Sequence, residues 1–269
     1  MSRIMTLVIF ISYLFSSAAL AADKEFPGRD IYLGTPYIEL AAFHQQFKYF
    51  IVVDVRSHYE YETLRILGAI NIPLNSSGFI PKMQQLRDNN KAKKIIVYCN
   101  GKTCMKSYQA ASKAKARGIE GVIVFDAGIM DWARAYPALA ELLGKSPVDA
   151  SKLISKARFD EHLLAPDKFA DMTQAADVRV LDVRDSVQRS GMGLFVGIEH
   201  QAPLDDKEKL EKHIQTALDE NKTLLIYDES GKQVRWLMYW LEEKGLKKYL
   251  FMEGGARLYF KQLKARLKR

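Results

Sequence analysis

The chain has 269 residues and two cysteines, Cys99 and Cys104, both in one short stretch, IIVYCNGKTCMKSYQAA (Ile95–Ala111). No cysteine stands near the N-terminus, which excludes lipid attachment there. The five histidines, His44, His58, His162, His200 and His213, show no ligand spacing, and none partners the cysteine pair. That pattern does not suggest zinc, and each histidine reads as surface or core. After residue 22 no segment is apolar for the roughly 20 residues a spanning helix needs. Gathered positive charge is scarce as well. Lys+Arg 40 against Asp+Glu 32 gives +8 with both signs mixed along the chain, so no nucleic-acid footprint is indicated. The one basic run, KQLKARLKR at 261–269, reads as a solvated helix end whose cations suit the dipole. Its alternative is contact with an acidic partner or anionic lipid.

Hydrophobic content of 48% with 27% charged residues is that of a globular protein. The length allows one large domain or two of ordinary size. The first 22 residues stand apart. Arg3 opens a basic start, Ile4 to Phe15 is an apolar core of about a dozen residues, and Ala19-Leu20-Ala21 has the small-x-small pattern of a cleavage site. Residues 1–22 are therefore expected to be a signal peptide, with an uncleaved anchor as the alternative. Export would place the mature chain in an oxidising compartment, most simply a bacterial periplasm, with no stable membrane insertion after cleavage.

The rest of the chain repeats itself. VVDVR at 52–56 answers VLDVR at 180–184, and IIVYCNGK from Ile95 answers TLLIYDESGK from Thr223. Arg117-Gly118-Ile119 answers Lys244-Gly245-Leu246, and FDAGIMDW (125–132) answers MEGGARLY (252–259). The offsets stay near 128 residues, too long for a solenoid and right for duplicated domains. The expected division is 26–145 and 158–269, with a linker between about Gly144 and Phe159 holding Pro147 and several Ser and Lys. In the first half, strands are expected at Phe50–Val55, Ile95–Tyr98 and Val122–Phe125, with helices at Met83–Asn90 and Lys106–Arg117, the latter stopped by Gly118. Continuous apolar strands alternating with helices predict an α/β fold: a mainly parallel sheet in each half, with helices on both faces. Trp132 and Tyr136 are expected in the core, and Trp236, Leu237, Trp240 and Leu241 form a helical stripe for core or interface.

In the first half DVRSHYEYE (54–62), GAINIPL (68–74), the Cys99 loop, FDAGIMDW and Pro137 follow in order; in the second, DVRD (182–185), GIEHQAPL (197–204), IYDESGK (226–232) and MEGGARLY. In this ordered set the chain resembles the tandem rhodaneses, thiosulfate sulfurtransferases built of two homologous α/β domains. The resemblance implies transfer of sulfane sulfur from thiosulfate or a similar small anionic donor through a Cys99 persulfide. The acceptor would be a thiophile or a protein thiol, and no cofactor is implied.

The loop's chemistry can be read directly. A turn from a parallel strand into a helix aims backbone N–H groups into one concavity, and the helix dipole adds to it. A cysteine at its first position has its thiolate stabilised, the form that attacks sulfur. Cys99 is the expected nucleophile and Asn100, Gly101, Lys102, Thr103, Cys104, Met105 and Lys106 the substrate-binding loop. Gly101 permits a tight turn, Lys102 and Lys106 supply charge for the donor or leaving sulfite, and Thr103 a hydrogen bond. Ser107 is expected as helix N-cap, with Thr103 as competitor. Asp54 and Arg56, at a strand's carboxyl end, stand beside the loop or form a structural ion pair; their recurrence as Asp182 and Arg184 in a half without cysteine favours the second role.

Seven residues, Asn100 to Lys106, separate Cys99 from Ser107, where the common family loop has five. The length is similar to that of rhodanese-like phosphatases and arsenate reductases, but Met105 occupies their closing arginine position, so the bidentate oxyanion clamp is missing. Three readings of Cys104 stand: a resolving thiol, a structural disulfide partner, or a bystander that tunes the loop. In the second half Asp228 replaces the cysteine. A carboxylate cannot carry sulfane sulfur, so that domain is expected to be non-catalytic, with residual anion affinity from Gly231, Lys232 and Arg235. Tandem rhodaneses often carry the active cysteine in the second domain; here the order is reversed. Two rival readings remain: a thiol–disulfide relay using Cys99 and Cys104, and an inert anion- or partner-binding module.

Overall fold

The computed structural model of the chain describes residues 25–189 and 193–268. The expected signal peptide, 1–22, lies outside them. Two compact units emerge, one comprising residues up to Ser57 together with Leu64–Ala150, the other His58–Thr63 together with Ser151 onward.

The first unit contains β1 (Phe50–Asp54), β2 (Leu64–Ile66), β3 (Ile70–Asn71), β4 (Lys94–Tyr98), β5 (Val122–Phe125) and β6 (Ala140–Leu142). Four of these form a sheet in the order β3-β1-β4-β5, parallel throughout. The other two, β2 and β6, pair antiparallel as a separate ribbon. Side chains alternate across the sheet. Val53, Ile95, Val97 and Cys99 join a core with Phe79, Met83, Tyr108, Ala110 and Ala114 from helices Phe79–Asn89 and Lys106–Lys115. On helices Leu40–Gln45 and Gly128–Ala135, Phe43 and Trp132 pack with Phe125 of β5. Trp132 is fully buried and its indole N–H donates to the Leu139 carbonyl at 2.9 Å, the partner a buried indole needs. Gly118, at φ +73, ends the helix that follows the cysteines.

The second unit holds β7 (Leu163–Leu164), β8 (Val178–Asp182), β9 (Glu199–Gln201), β10 (Thr223–Tyr227) and β11 (Tyr249–Met252). They form one parallel sheet in the order β7-β11-β10-β8-β9. Helix Val234–Glu243 buries Trp236, Leu237 and Leu241, while Trp240 is half-buried. Helix His58–Thr63 packs on this helix, which is why it clusters with the second unit although it follows β1 in sequence.

The repeat is a structural one. Strands β1 and β8 begin 128 residues apart at Phe50 and Val178, and the helices after the cysteines and after Asp228 begin 128 apart at Lys106 and Val234. Both sheets are parallel and α/β, as the alternation of strands and helices predicts. Helix Phe79–Asn89 starts four residues before the expected Met83, and β1 stops at Asp54 rather than Val55. The helix that begins at Lys106 ends at Lys115, short of the expected Arg117. No helix of the described residues is long and apolar enough to cross a membrane.

Candidate active site at the Cys99 loop

Register places the site. Asp54 at the end of β1 pairs with Tyr98 at the end of β4, and Tyr98 pairs with Phe125 at the end of β5. Past that level the three chains become loops, so Arg56, Cys99 and Gly128 meet at the sheet's carboxyl edge, where open α/β sheets bind ligands. Two hydrogen bonds tie the loops together, from Ile129 N to the Cys99 carbonyl at 3.0 Å and from Met130 N to the Asn100 carbonyl at 3.5 Å. Gly128 has φ +68, and a Cβ on it would lie 2.6 Å from the Gly101 Cα. No L side chain fits there.

Cys99 is 1% exposed. Its Sγ is bonded to that of Cys104, with the Cα atoms 6.4 Å apart, inside the range a disulfide spans. The loop doubles back through a bond from Cys104 N to the Gly101 carbonyl at 2.8 Å. The Cys99 Sγ lies 3.3 Å from the Cys104 carbonyl oxygen. Among the described residues no acceptor engages the amides of Gly101, Lys102, Thr103 or Met105.

The second unit shows what such a loop does with an anion. Asp228 occupies the Cys99 position: its carbonyl accepts from Ala256 N at 2.9 Å, as that of Cys99 accepts from Ile129 N. Its buried carboxylate accepts from the amides of Ser230 (3.0 Å), Gly231, Gln233 (2.6 Å) and Val234 (3.3 Å). Burial pushes this carboxyl up, and the amide bonds pull it back. The amides expected to lend residual anion affinity are taken by the loop's own side chain. Arg235 donates to the Ile154 carbonyl at 2.7 Å, so it too is committed.

Arg56 is fully buried. Its Nε donates to both Asp54 oxygens at 2.9 and 3.1 Å, and its Nη2 to Asp54 Oδ2 and the Leu64 carbonyl, each at 2.5 Å. Its Nη1 reaches Asn100 Oδ1 at 3.3 Å, so the guanidinium joins the end of β1 to the residue beside Cys99. Asp182 and Arg184 repeat the pair at 2.8–2.9 Å, and Arg184 Nη1 stands 3.9 Å from Glu229, the counterpart of Asn100.

The surroundings of Lys102 and the cap of the following helix add to the expectation. Lys102 is ion-paired with Glu25 and, at 3.4 Å, with Asp131; the Glu25 hydrogen bond raises its pKa, and its charge is already matched. Lys106 stands at the first position of its helix. Ser107 is not the N-cap. Met105 holds that position with no side-chain cap, and the Ser107 hydroxyl is fully buried with no partner. The N-cap falls two residues before Ser107, because the helix begins as soon as the chain has cleared Cys104. Thr103 is exposed.

Sequence reasoning missed the segment Glu25–Ile31. Gly28 lies against the Tyr108 ring so closely that a Cβ would overlap it. Tyr108 donates to Asp126 at 2.7 Å, and Arg29 Nε donates to the same carboxylate at 2.8 Å. Beside it, Phe26 takes the Lys102 ammonium over its ring at 5.4 Å. This strap holds the helix behind the cysteine loop. The one sequence signal was Asp126 in FDAG, where the second half has Glu253. No cluster of three metal-ligating side chains occurs among the described residues.

The rhodanese-like domain model matches twice, at 39–135 and 165–262. The tRNA uridine(34) hydroxylases of Escherichia fergusonii and Enterobacter are each 33% identical over 85 residues, covering 31% of this chain and 24% of theirs; the chain thus spans about a quarter of these curated relatives. A thiosulfate sulfurtransferase structure from Pseudomonas aeruginosa aligns over 88% of this chain and 47% of its own, at 17% identity and TM-score 0.35. The rhodanese-like domain of an Anabaena protein aligns over 45% of this chain and 92% of its own, at 21% identity and TM-score 0.35. With both halves matched and each folded as a parallel α/β sheet, the chain belongs to the rhodanese-like domain family and carries two such domains in tandem.

Proposed function

We propose that the chain is an exported sulfurtransferase whose first domain carries sulfur on Cys99. The observation that carries this reading is the amide cage around Asp228. In the second domain the loop collects N–H groups on the side chain at this position, and only the first domain has sulfur there. In the reduced loop the Cys99 thiolate attacks the outer sulfur of thiosulfate. The S–S bond of the donor breaks and sulfite leaves with its electron pair, giving a Cys99 persulfide. An acceptor thiolate or cyanide then takes the outer sulfur and regenerates the thiolate. Asn100 to Lys106 line the donor site, with Asp54 and Arg56 fixing the loop behind them. The N-terminal segment supports a periplasmic setting; fractionation of cells expressing the full chain tests it.

The catalytic test is transfer of sulfur from thiosulfate to cyanide by the reduced chain, with Cys99→Ser as control. Undiminished transfer by that variant refutes the assignment. The hydroxylation in the curated relatives' name is not proposed, since the chain covers 24% of their length. The Cys99–Cys104 bond favours a second reading, a thiol–disulfide relay. It predicts that the reduced chain exchanges with disulfides but gains no sulfur atom from thiosulfate.

A further inference from the structure

We propose that Cys104 is a resolving thiol: it discharges the Cys99 persulfide as hydrosulfide and leaves the loop as the Cys99–Cys104 disulfide. The inference deepens the sulfurtransferase reading and rests on it.

The geometry is that of an internal attack. Cys104 Sγ is bonded to Cys99 Sγ, so it reaches the inner sulfur of a persulfide formed there. The turn closed by Cys104 N and the Gly101 carbonyl at 2.8 Å holds it on that side of the loop. Cys99 is 1% exposed while Cys104 is half-buried. A soluble acceptor must therefore approach a buried sulfur past a thiol already in contact with it. Effective concentration decides the competition. A group tethered this closely acts at mM or far above, and a free acceptor at sub-mM concentration arrives second.

The step balances. The Cys104 thiolate attacks Sγ of protonated Cys99–S–SH, and the new bond uses the thiolate's electron pair. The Sγ–Sδ bond breaks and its pair leaves with the outer sulfur as HS⁻. The outer sulfur is reduced and the Cys104 sulfur oxidised, with no external oxidant. A soluble or protein dithiol reductant, becoming a disulfide itself, returns the loop to two thiols. One cycle then converts thiosulfate and a dithiol into sulfite, hydrogen sulfide and a disulfide.

The experiment uses the full chain, reduced and freed of reductant under anaerobic conditions, then given thiosulfate. Intact mass and released sulfide are followed together. The native chain is expected to gain one sulfur transiently and settle at the disulfide mass, releasing one hydrosulfide per chain. Cys104→Ser and Cys104→Ala are expected to hold the added sulfur and to release sulfide at least ~10-fold more slowly. A sulfur adduct that persists in the native chain overturns the proposal and leaves the sulfurtransferase reading intact. Sulfide release at the native rate from both variants does the same. No adduct in any of the three chains overturns both readings together.

Discussion

Gly128 and Gly101 touch backbone to backbone across the site, so that a Cβ on Gly128 would lie 2.6 Å from the Gly101 Cα and 2.5 Å from its N. That contact fixes where the Cys99 loop stands relative to the next strand-to-helix turn. Gly128→Ala has to displace the loop and also adopt φ +68. The expected result is a stability loss of about 2–4 kcal/mol with sulfur transfer lowered at least ~10-fold. Gly118→Ala, at φ +73 but with open space around it, should cost only about 1 kcal/mol and leave transfer unchanged. Urea denaturation and the cyanide assay on both variants check this; equal effects would show that the glycine contact does not set the loop.

Asp228 gives the second prediction. Asp228→Ala removes the acceptor of four amides in a buried loop, and each amide left without a partner costs on the order of 1 kcal/mol or more unless water enters. The expected loss is roughly 2–4 kcal/mol, with sulfur loading on Cys99 unchanged. Asp228→Asn keeps one acceptor oxygen and should fall between. Melting followed by tryptophan fluorescence reports Trp236 and Trp240 of the same unit and separates the three chains. A fully stable Asp228→Ala chain would mean that the cage is not structural.

Much of this architecture was legible in the sequence because it is written in local pattern. Apolar strands such as IIVY and LLIY, glycine stops and paired DVR turns repeat at a constant offset, and each depends on neighbours a few residues away. What stayed hidden depends on distant partners. Gly28 matters because of the Tyr108 ring, 80 residues on, and Lys102 is matched by Glu25 and Asp131. The Asp228 cage is a special case. The sequence reading expected a non-catalytic loop with residual anion affinity, whereas the carboxylate itself takes up the amides of its own loop. For Ser107, cap preference pointed to a hydroxyl, but the helix already begins at Lys106 and the cap falls on Met105, two residues before the serine.

Arg56 and Asp54 are both fully buried, 2.5 Å apart. Arg56→Ala would strand a buried carboxylate, and the expected loss is about 3–5 kcal/mol. Arg184→Ala should cost the second unit less, because Arg189 Nε also donates to Asp182 at 3.0 Å, and should leave sulfur loading unchanged. Asn100→Ala isolates the link to the loop. It removes the 3.3 Å bond to Arg56 and should change stability by less than ~1 kcal/mol, while KM for thiosulfate rises. Denaturation and steady-state kinetics separate these outcomes. An unchanged KM in Asn100→Ala would confine Arg56 to a structural role.

Acid should weaken the second unit through His213. Its Nδ1 accepts from Arg179 Nε and Nη2 at 3.0 and 2.9 Å, and its ring stacks on that of His200 with centroids 5.0 Å apart. Burial, and then the Arg179 charge, lower its pKa from 6.5 to about 4; His200 is shifted the same way. The unfolded chain therefore binds this proton first as pH falls. The stabilisation is complete above pH 6.5 and is lost between 6.5 and about 4. Solvent around the pair screens the effect, so the expected loss is about 1–2 kcal/mol. His213→Gln keeps an acceptor for Arg179 and has nothing to protonate. Urea midpoints at pH 7 and pH 5 should fall less in this variant than in the native chain. Parallel declines would assign the acid sensitivity to carboxylates elsewhere.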